Sequence, residues 1–324
     1  MIQEVAYSYS RLDQYKKCPF AYNLKYNQKK FISEETLVLL LGTLIHHIEE
    51  KISLSLMEGK SPNYEELIDE LYNVNIPKKN PFDTEGGIFG INILKERFTK
   101  DYFSPSDKTG LAYFNKVNRY VSNIKRQENY LLEHPELELV DVEHPFVFSY
   151  KGKTLKGFID RIMKYKGQNR YQIYDIKTRD RLFDKKDITT PLQHVVYGLA
   201  MEEETGYLPE EYFYDLVLIQ EMQEAGTKGF IERGKKQLDK IFDGIDAGEY
   251  APNPSPLCHW CCYCNTNPNV TPEGENMCPY YSLWTPQNSS FEVLNKYEDD
   301  SKTAELIEKL KKQTRVKKSA IFEF

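Results

Sequence analysis

A mixed sheet with helices packed on it, an α/β class, is what the order of elements in this sequence predicts. Three observations carry that reading. Apolar residues recur at steps of three and four between Thr36 and Leu56, three β-type runs joined by turn signals lie between Leu139 and Lys177, and helix, strand and helix then alternate as far as Ala247. Interleaved elements of this kind bury their apolar faces by packing in layers.

Each element has a local reason. Leu37, Leu40, Leu41, Leu44, Ile45, Ile48 and Ile52 form one apolar stripe, so residues 1–56 read as an N-terminal segment ending in an amphipathic helix with one buried face. Residues 57–136 are mixed and Tyr-rich, with helical stretches at Tyr64–Tyr72 and Tyr113–Leu132 separated by Pro77, Pro81, Gly86, Gly87 and Pro105, and read as a helical insertion. Residues 137–250 carry the core. Leu139–Ser149, Thr154–Tyr165 and Tyr171–Lys177 are strands joined by Lys151-Gly152 and the turn Lys166–Asn169, an antiparallel meander. Pro191 opens a helix through Glu204, Tyr212–Gln220 is a further strand, and Gly229–Ala247 is a helix. Residues 251–288 form a Cys-rich, loop-like region, and residues 289–324 a charged tail with a helix expected over Ser301–Lys318.

Composition narrows the function classes. The 324 residues carry 43 Lys+Arg against 49 Asp+Glu and are 40% hydrophobic, which excludes collagen, a mucin-like stalk and a wholly disordered chain. No apolar run approaches the roughly 18 residues of a membrane helix. Met1–Arg11 lacks a basic segment followed by an apolar one, so no secretory signal is expected and the protein reads as cytoplasmic. Five of the six cysteines crowd between 258 and 278, the distribution of metal ligands rather than of a disulfide framework.

Two acidic positions carry the chemistry. Gly157-Phe158-Ile159-Asp160 ends one strand of the meander and Asp175-Ile176-Lys177 lies on the next, so a hairpin brings both carboxylates to one edge. Paired carboxylates repel unless a cation sits between them, and hard oxygen ligands favour Mg²⁺ or Mn²⁺. Such an ion neutralises charge developing on a phosphoryl group. Lys177 shares a strand face with Asp175, because side chains alternate with a period of two.

Taken together, Gly157–Asp160 followed by Asp175-Ile176-Lys177-Thr178 resembles the core of the PD-(D/E)XK nuclease superfamily, with its restriction-endonuclease-like fold. Tyr9-Ser10-Arg11-Leu12 with Tyr15-Lys16-Lys17-Cys18-Pro19, then Gly42-Thr43-Leu44-Ile45-His46, then Gln193-His194-Val195-Val196-Tyr197, is similar to its RecB-like branch, which includes AddB-type and CRISPR-associated exonucleases. The resemblance implies that His46, Asp160, Asp175 and the carbonyl of Ile176 bind the catalytic metal, that Lys177 is the catalytic lysine, and that Gln193 and Tyr197 position water or phosphate. Glu50, one turn from His46, is a candidate partner for that imidazole. It also implies a Mg²⁺- or Mn²⁺-dependent deoxyribonuclease acting on single-stranded DNA or duplex ends in recombination, repair or phage DNA metabolism. The competing class is a nuclease-fold module that grips DNA ends or a protein partner without turnover.

Cys258-His259-Trp260-Cys261-Cys262-Tyr263-Cys264, with Cys278 and the distant Cys18, can hold zinc or an iron–sulfur cluster, and spacing alone does not decide. By resemblance to the iron–sulfur members of that branch, Cys18, Cys258, Cys261 and Cys278 would bind a structural [4Fe–4S] cluster, with Cys264 or Cys262 as substitutes for Cys278. A zinc knuckle would use Cys258, Cys261, Cys264 and Cys278. Lys16, Lys17, Lys25, Lys29 and Lys30, and Arg179, Arg181, Lys185 and Lys186, are candidate DNA contacts on an otherwise acidic chain. The tail ending in Phe322-Glu323-Phe324 reads either as a protein-docking peptide or as a frayed amphipathic end. Gly59-Lys60-Ser61 and Gly152-Lys153-Thr154 end like phosphate-binding loops, but Leu54 and Val147 replace the required earlier glycine.

Overall fold

The computed structural model describes residues 5–32, 37–73, 108–253, 255–264, 270–275, 277–278, 280–282 and 291–293. The expected tail helix and docking peptide lie outside them. Contacts divide the chain into two compact units, residues 1–9 with 35–237 and residues 10–34 with 238–324.

The first unit is built on a six-stranded mixed sheet of strands β1 (Ala6–Tyr7), β2 (Leu137–Tyr150), β3 (Lys153–Tyr165), β4 (Tyr171–Lys177), β5 (Glu211–Leu216) and β6 (Glu221–Glu224). The meander is as expected: β2 pairs antiparallel with β3 and β3 with β4. β4 then pairs parallel with β5. Parallel neighbours need a crossover, and the chain supplies it as two helices (Lys185–Thr189 and Leu192–Thr205) before β5. Helices on such a mixed sheet give the restriction-endonuclease-like class read from the sequence.

One edge of β3 is shared in a way that positions the site. β4 pairs with Arg161–Lys164 and β1 with Thr154 and Leu155. Asp160 therefore does not end its strand, which runs on to Tyr165; it stands where the two edge partners part. There its carboxylate replaces a ladder acceptor, taking the Ile176 N–H at 2.7 Å. Gly157 has a separate reason. Its cross-strand partner is Phe146, and a Cβ at Gly157 would meet that ring at 2.7 Å.

Helix Leu37–Met57 buries Leu41, Leu44, Ile45, Ile48 and Ile52 in one core with Tyr64, Leu67, Leu71, Val117, Tyr120 and Ile124 of the helices at Tyr64–Asn73 and Lys108–Ser122 and the turn after them. A charge network crosses this core. Arg161, fully buried, donates to Glu49 Oε2 at 2.6 Å and to Asp215 Oδ2 at 2.8 Å. Arg126 donates to both oxygens of Asp215, and Tyr120 gives its hydroxyl to Glu49 at 2.9 Å. Two guanidinium groups and two carboxylates cancel, which is the condition under which buried charge is tolerated.

Three boundaries differ from the sequence reading. Tyr212–Gln220 is not one strand: β5 stops at Leu216, the chain turns with Gln220 at φ 59°, and β6 returns antiparallel. The apolar run Val217–Leu218 mimicked strand because both residues fill the helical core. The stretch expected as one helix over Tyr113–Leu132 breaks after Ser122 and resumes at Arg126. Pro191 precedes the helix as an extended cap, and its carbonyl accepts the Val195 N–H at 3.1 Å.

The second unit contains helices Tyr9–Lys17 and Pro19–Tyr22, a π-type turn Asn23–Asn27, the short helical turn Pro256–Trp260 and a hairpin of Tyr280–Ser282 with Phe291–Val293. Tyr15 donates to the Glu249 carbonyl at 2.8 Å, and Asn253 to the Lys17 carbonyl at 2.9 Å. Among the described residues no helix is long and apolar enough to cross a membrane.

Candidate active site

The residues singled out from the sequence converge in the first unit. Asp175 sits in β4, flanked by β3 and β5, and is fully buried. Lys177 Nζ lies 2.6 Å from its Oδ2, close enough for an ion pair, yet neither carboxylate oxygen of Asp175 has an aligned hydrogen-bond donor. Lys177 also donates to Gln193 Oε1 at 3.2 Å, and Gln193 donates through Nε2 to the Tyr197 hydroxyl at 2.7 Å. Gln193 and Tyr197 stand one turn apart on helix Leu192–Thr205, so one face of that helix closes the site. The side chains thus run in a line from Asp175 through Lys177 and Gln193 to Tyr197.

His46 arrives from helix Leu37–Met57, three residues before the network residue Glu49, so the buried charges that fix this helix also fix the imidazole. Its Nδ1 stands 3.9 Å from Asp160 Oδ2 and 3.4 Å from Glu143 Oε1. His46, Glu143 and Asp160 offer ligand atoms that all lie within 4.8 Å of one another. Bonds of about 2.1 Å to a small hard cation fit inside that spread.

Glu143 was not foreseen. It lies in β2 directly opposite Asp160, between the pairs Val142↔Arg161 and His144↔Ile159, and has a left-handed backbone with φ 46°. A non-glycine residue in that region costs energy and persists only where its surroundings over-determine it. The neighbours do so here. Asp141 accepts the Val142 N–H at 2.8 Å and holds His144 Nδ1 at 2.7 Å, while Glu204 holds His144 Nε2 at 2.7 Å. No motif flagged Glu143; the one available hint was register, since it sits across the hairpin from Asp160. The carboxylates recorded at His46 are Glu143 and Asp160, whereas Glu50 reaches His47 at 3.8 Å.

Electrostatics follow from this crowding. Burial raises the Asp175 pKa, opposed by Lys177 and reinforced by Asp160. Burial pushes the His46 pKa down, but Asp160 and Glu143 outweigh it and the net shift is upward. Lys177 shows the same balance, with burial overcome by Asp175 and Asp160. A buried carboxylate without an aligned donor, beside two further acids, suits a divalent cation, which supplies the missing positive charge. Asp160, Glu143 and His46 are chemically suited to hold one, and Asp175 stands outside that close group.

In the second unit the chain brings Cys18 among residues 261–263, packed with Ala21, Leu24, Tyr263, Cys261 and Cys262. Hydrogen bonding with Cys264 and then burial push the Cys258 thiol up; Cys262 and burial do the same for Cys261. Cys278 donates its N–H to the Tyr263 carbonyl at 2.9 Å. Gly274 is required here because any Cβ would collide with the Cys262 carbonyl.

The model of the PD-(D/E)XK nuclease superfamily matches residues 6–266. Among curated proteins none matches. A crystal structure of a "Putative exonuclease" from Eubacterium rectale is similar at 14% identity with a TM-score of 0.42, covering 79% of this chain and 86% of that one.

Proposed function

The chain belongs to the PD-(D/E)XK nuclease superfamily, and from that premise we propose that it is a Mg²⁺- or Mn²⁺-dependent deoxyribonuclease of the RecB-like type, acting as an exonuclease on single strands or duplex ends. The observation that carries the proposal is Asp175, a fully buried carboxylate with no aligned donor, acted on by Lys177 and Asp160. A binding module has no use for such a costly arrangement.

In this reading Asp160, Asp175, His46 and the Ile176 carbonyl hold the cation, with Glu143 beside them. When bound, the cation supplies Lewis-acid polarisation of a phosphoryl oxygen. Lys177 is ion-paired with Asp175 and gives one of its three N–H donors to Gln193, and in this reading its ammonium also meets the phosphate, where it offsets charge in the transition state. Gln193 fixes the ammonium in place, and Tyr197, accepting from Gln193, has its own O–H to give to water or phosphate. The partly buried site strengthens each of these interactions relative to bulk water.

Cys18, Cys258, Cys261 and Cys278 are proposed to hold a structural [4Fe–4S] cluster, with Cys264 or Cys262 able to replace Cys278. The gathering of Cys18 with Cys261 across more than two hundred residues supports a shared ligand set. Closing so long a loop would remove much unfolded-state entropy. Recombination, repair or phage DNA metabolism is the setting proposed for such an enzyme.

The deciding experiment is digestion of end-blocked and free-ended labelled oligonucleotides with Mg²⁺ or Mn²⁺. A ladder from free ends alone supports exonuclease action; cleavage of blocked substrates makes the enzyme an endonuclease; no cleavage of any DNA with either ion ends the proposal. Visible absorbance and iron content of anaerobically purified protein decide between a cluster and zinc.

A further inference from the structure

After Lys177 the chain enters residues 178–190, which the first unit holds in several places. Phe183 donates its N–H to Gln223 Oε1 at 2.7 Å, and Gln223 Nε2 returns a bond to the Phe183 carbonyl at 3.0 Å. Gly226 donates to the Ile188 carbonyl at 2.7 Å. Arg233 reaches the Thr189 carbonyl at 3.0 Å and Thr190 Oγ1 at 3.2 Å. A segment already tied down in this way loses little further freedom on binding a ligand.

Within it the Phe183 ring is sandwiched. Tyr214 stacks on one side, with centroids 4.1 Å apart and planes at 28°, and the Arg179 guanidinium lies 3.8 Å from the ring centroid. Arg179 is two residues past Lys177. The intervening Thr178 lies against helix Leu37–Met57, where a Cβ on Gly42 would stand 3.7 Å from its Oγ1, one turn before His46. The guanidinium is thus held on a shelf whose base, Tyr214, is the cross-strand partner of Asp175. Stacking uses one face and leaves the N–H edges, a fork that matches phosphate oxygens. Among the described residues no carboxylate pairs with Arg179, Arg181, Lys185 or Lys186. Asp180, Asp184 and Asp187 share the segment, so four cations face three acids and the local balance is only slightly positive. That favours one placed cation over a general basic surface.

We propose that Arg179, shelved on Phe183, binds a backbone phosphate of the DNA strand next to the one being cleaved. This rests on the nuclease reading and adds the residue that sets the strand's register at the site. Arg179 makes a substrate contact; Phe183 is a positioning residue that acts through it.

The test is fluorescence anisotropy of labelled oligothymidylate with the full chain in Ca²⁺ over a range of salt, together with kcat and KM in Mn²⁺ and Mn²⁺ affinity by calorimetry. For Arg179→Ala we expect Kd and KM to rise about tenfold, kcat to stay within about threefold, and the salt slope to fall by about 0.7, one single-strand phosphate contact. Arg179→Lys should keep the slope and recover part of the affinity, because it retains charge but not the fork. Phe183→Leu should move KM in the same direction as Arg179→Ala with Mn²⁺ affinity unchanged. Wild-type Kd and slope in Arg179→Ala, a surface change that leaves the core intact, overturn the inference while cleavage by the parent leaves the nuclease reading standing. Arg179-dependent binding without any cleavage does the reverse.

Discussion

Asp160 and Arg161 are consecutive on β3, so their side chains leave opposite sides of the strand, and they head two buried polar clusters built on different accounts of charge. Around Arg161, two guanidinium groups meet Glu49 and Asp215, the sum is zero, and Tyr120 satisfies a remaining lone pair. Around Asp160, three carboxylates, Asp160, Asp175 and Glu143, face the Lys177 ammonium and the His46 and His194 imidazoles, the last of which burial holds down near pKa 4 and so neutral. The first cluster balances its charge within the protein, with only Arg161 Nε left without a partner among its described atoms, and serves to fix a helix. The second is left anionic, with Asp175 lacking an aligned donor. Charge balance, more than burial, separates a structural polar cluster from one suited to an outside cation.

The largest expected effect sharpens that contrast. Asp160→Ala or Lys177→Ala should lower cleavage by roughly a thousandfold or more while the far-UV spectrum and melting temperature stay close to the parent's. Retained activity in either purified variant would break the comparison on its catalytic side. In the balanced cluster the order reverses. Arg161→Ala leaves Arg126 alone against Glu49 and Asp215 and should cost about 3–5 kcal/mol in denaturant unfolding, with activity lost only as the fold is lost.

A smaller effect should come from Glu143→Gln, which keeps shape but removes charge beside His46. Mn²⁺ affinity should weaken by about tenfold in calorimetry, the range seen for groups that orient or support ligands. Unchanged affinity would show that Glu143 only fills the hairpin.

The mildest is a pH dependence. A carboxyl with a folded pKa raised by burial, as in Asp175, costs stability once the pH exceeds its unfolded value of about 3.9. His46 is also raised, so its contribution is present below about 6.5 and is lost as the pH climbs through the folded pKa. Both make the metal-free protein less stable with rising pH, while a cation needs Asp175 ionised and His46 neutral. The melting-temperature gain on adding Mn²⁺ should therefore grow from weakly acidic to neutral pH, and a gain independent of pH would argue that these two groups do not hold the ion.

Much of this was legible because it is local. The three-and-four spacing from Leu37 to Ile52, the turn at Lys151-Gly152 and the alternation around Asp175 and Lys177 each follow from a few neighbouring residues. The boundaries misread were those where tertiary packing overrode local pattern, as at Val217 and Leu218, apolar because they fill a helical core.

The sequence by itself determined the α/β class, the meander and the placing of Asp160 and Asp175 on adjacent strands, since side-chain periodicity and turn chemistry act over short range. Only the tertiary structure decided that Glu143 joins them, that Arg161 and Glu49 hold the helix bearing His46, and that Arg179 rests on Phe183. Those relations link residues 97 and 112 positions apart in the chain, or depend on a ring's stacking, and no spacing rule carries that information. They exist because burying charge and aromatic surface selects one arrangement of distant segments over the alternatives.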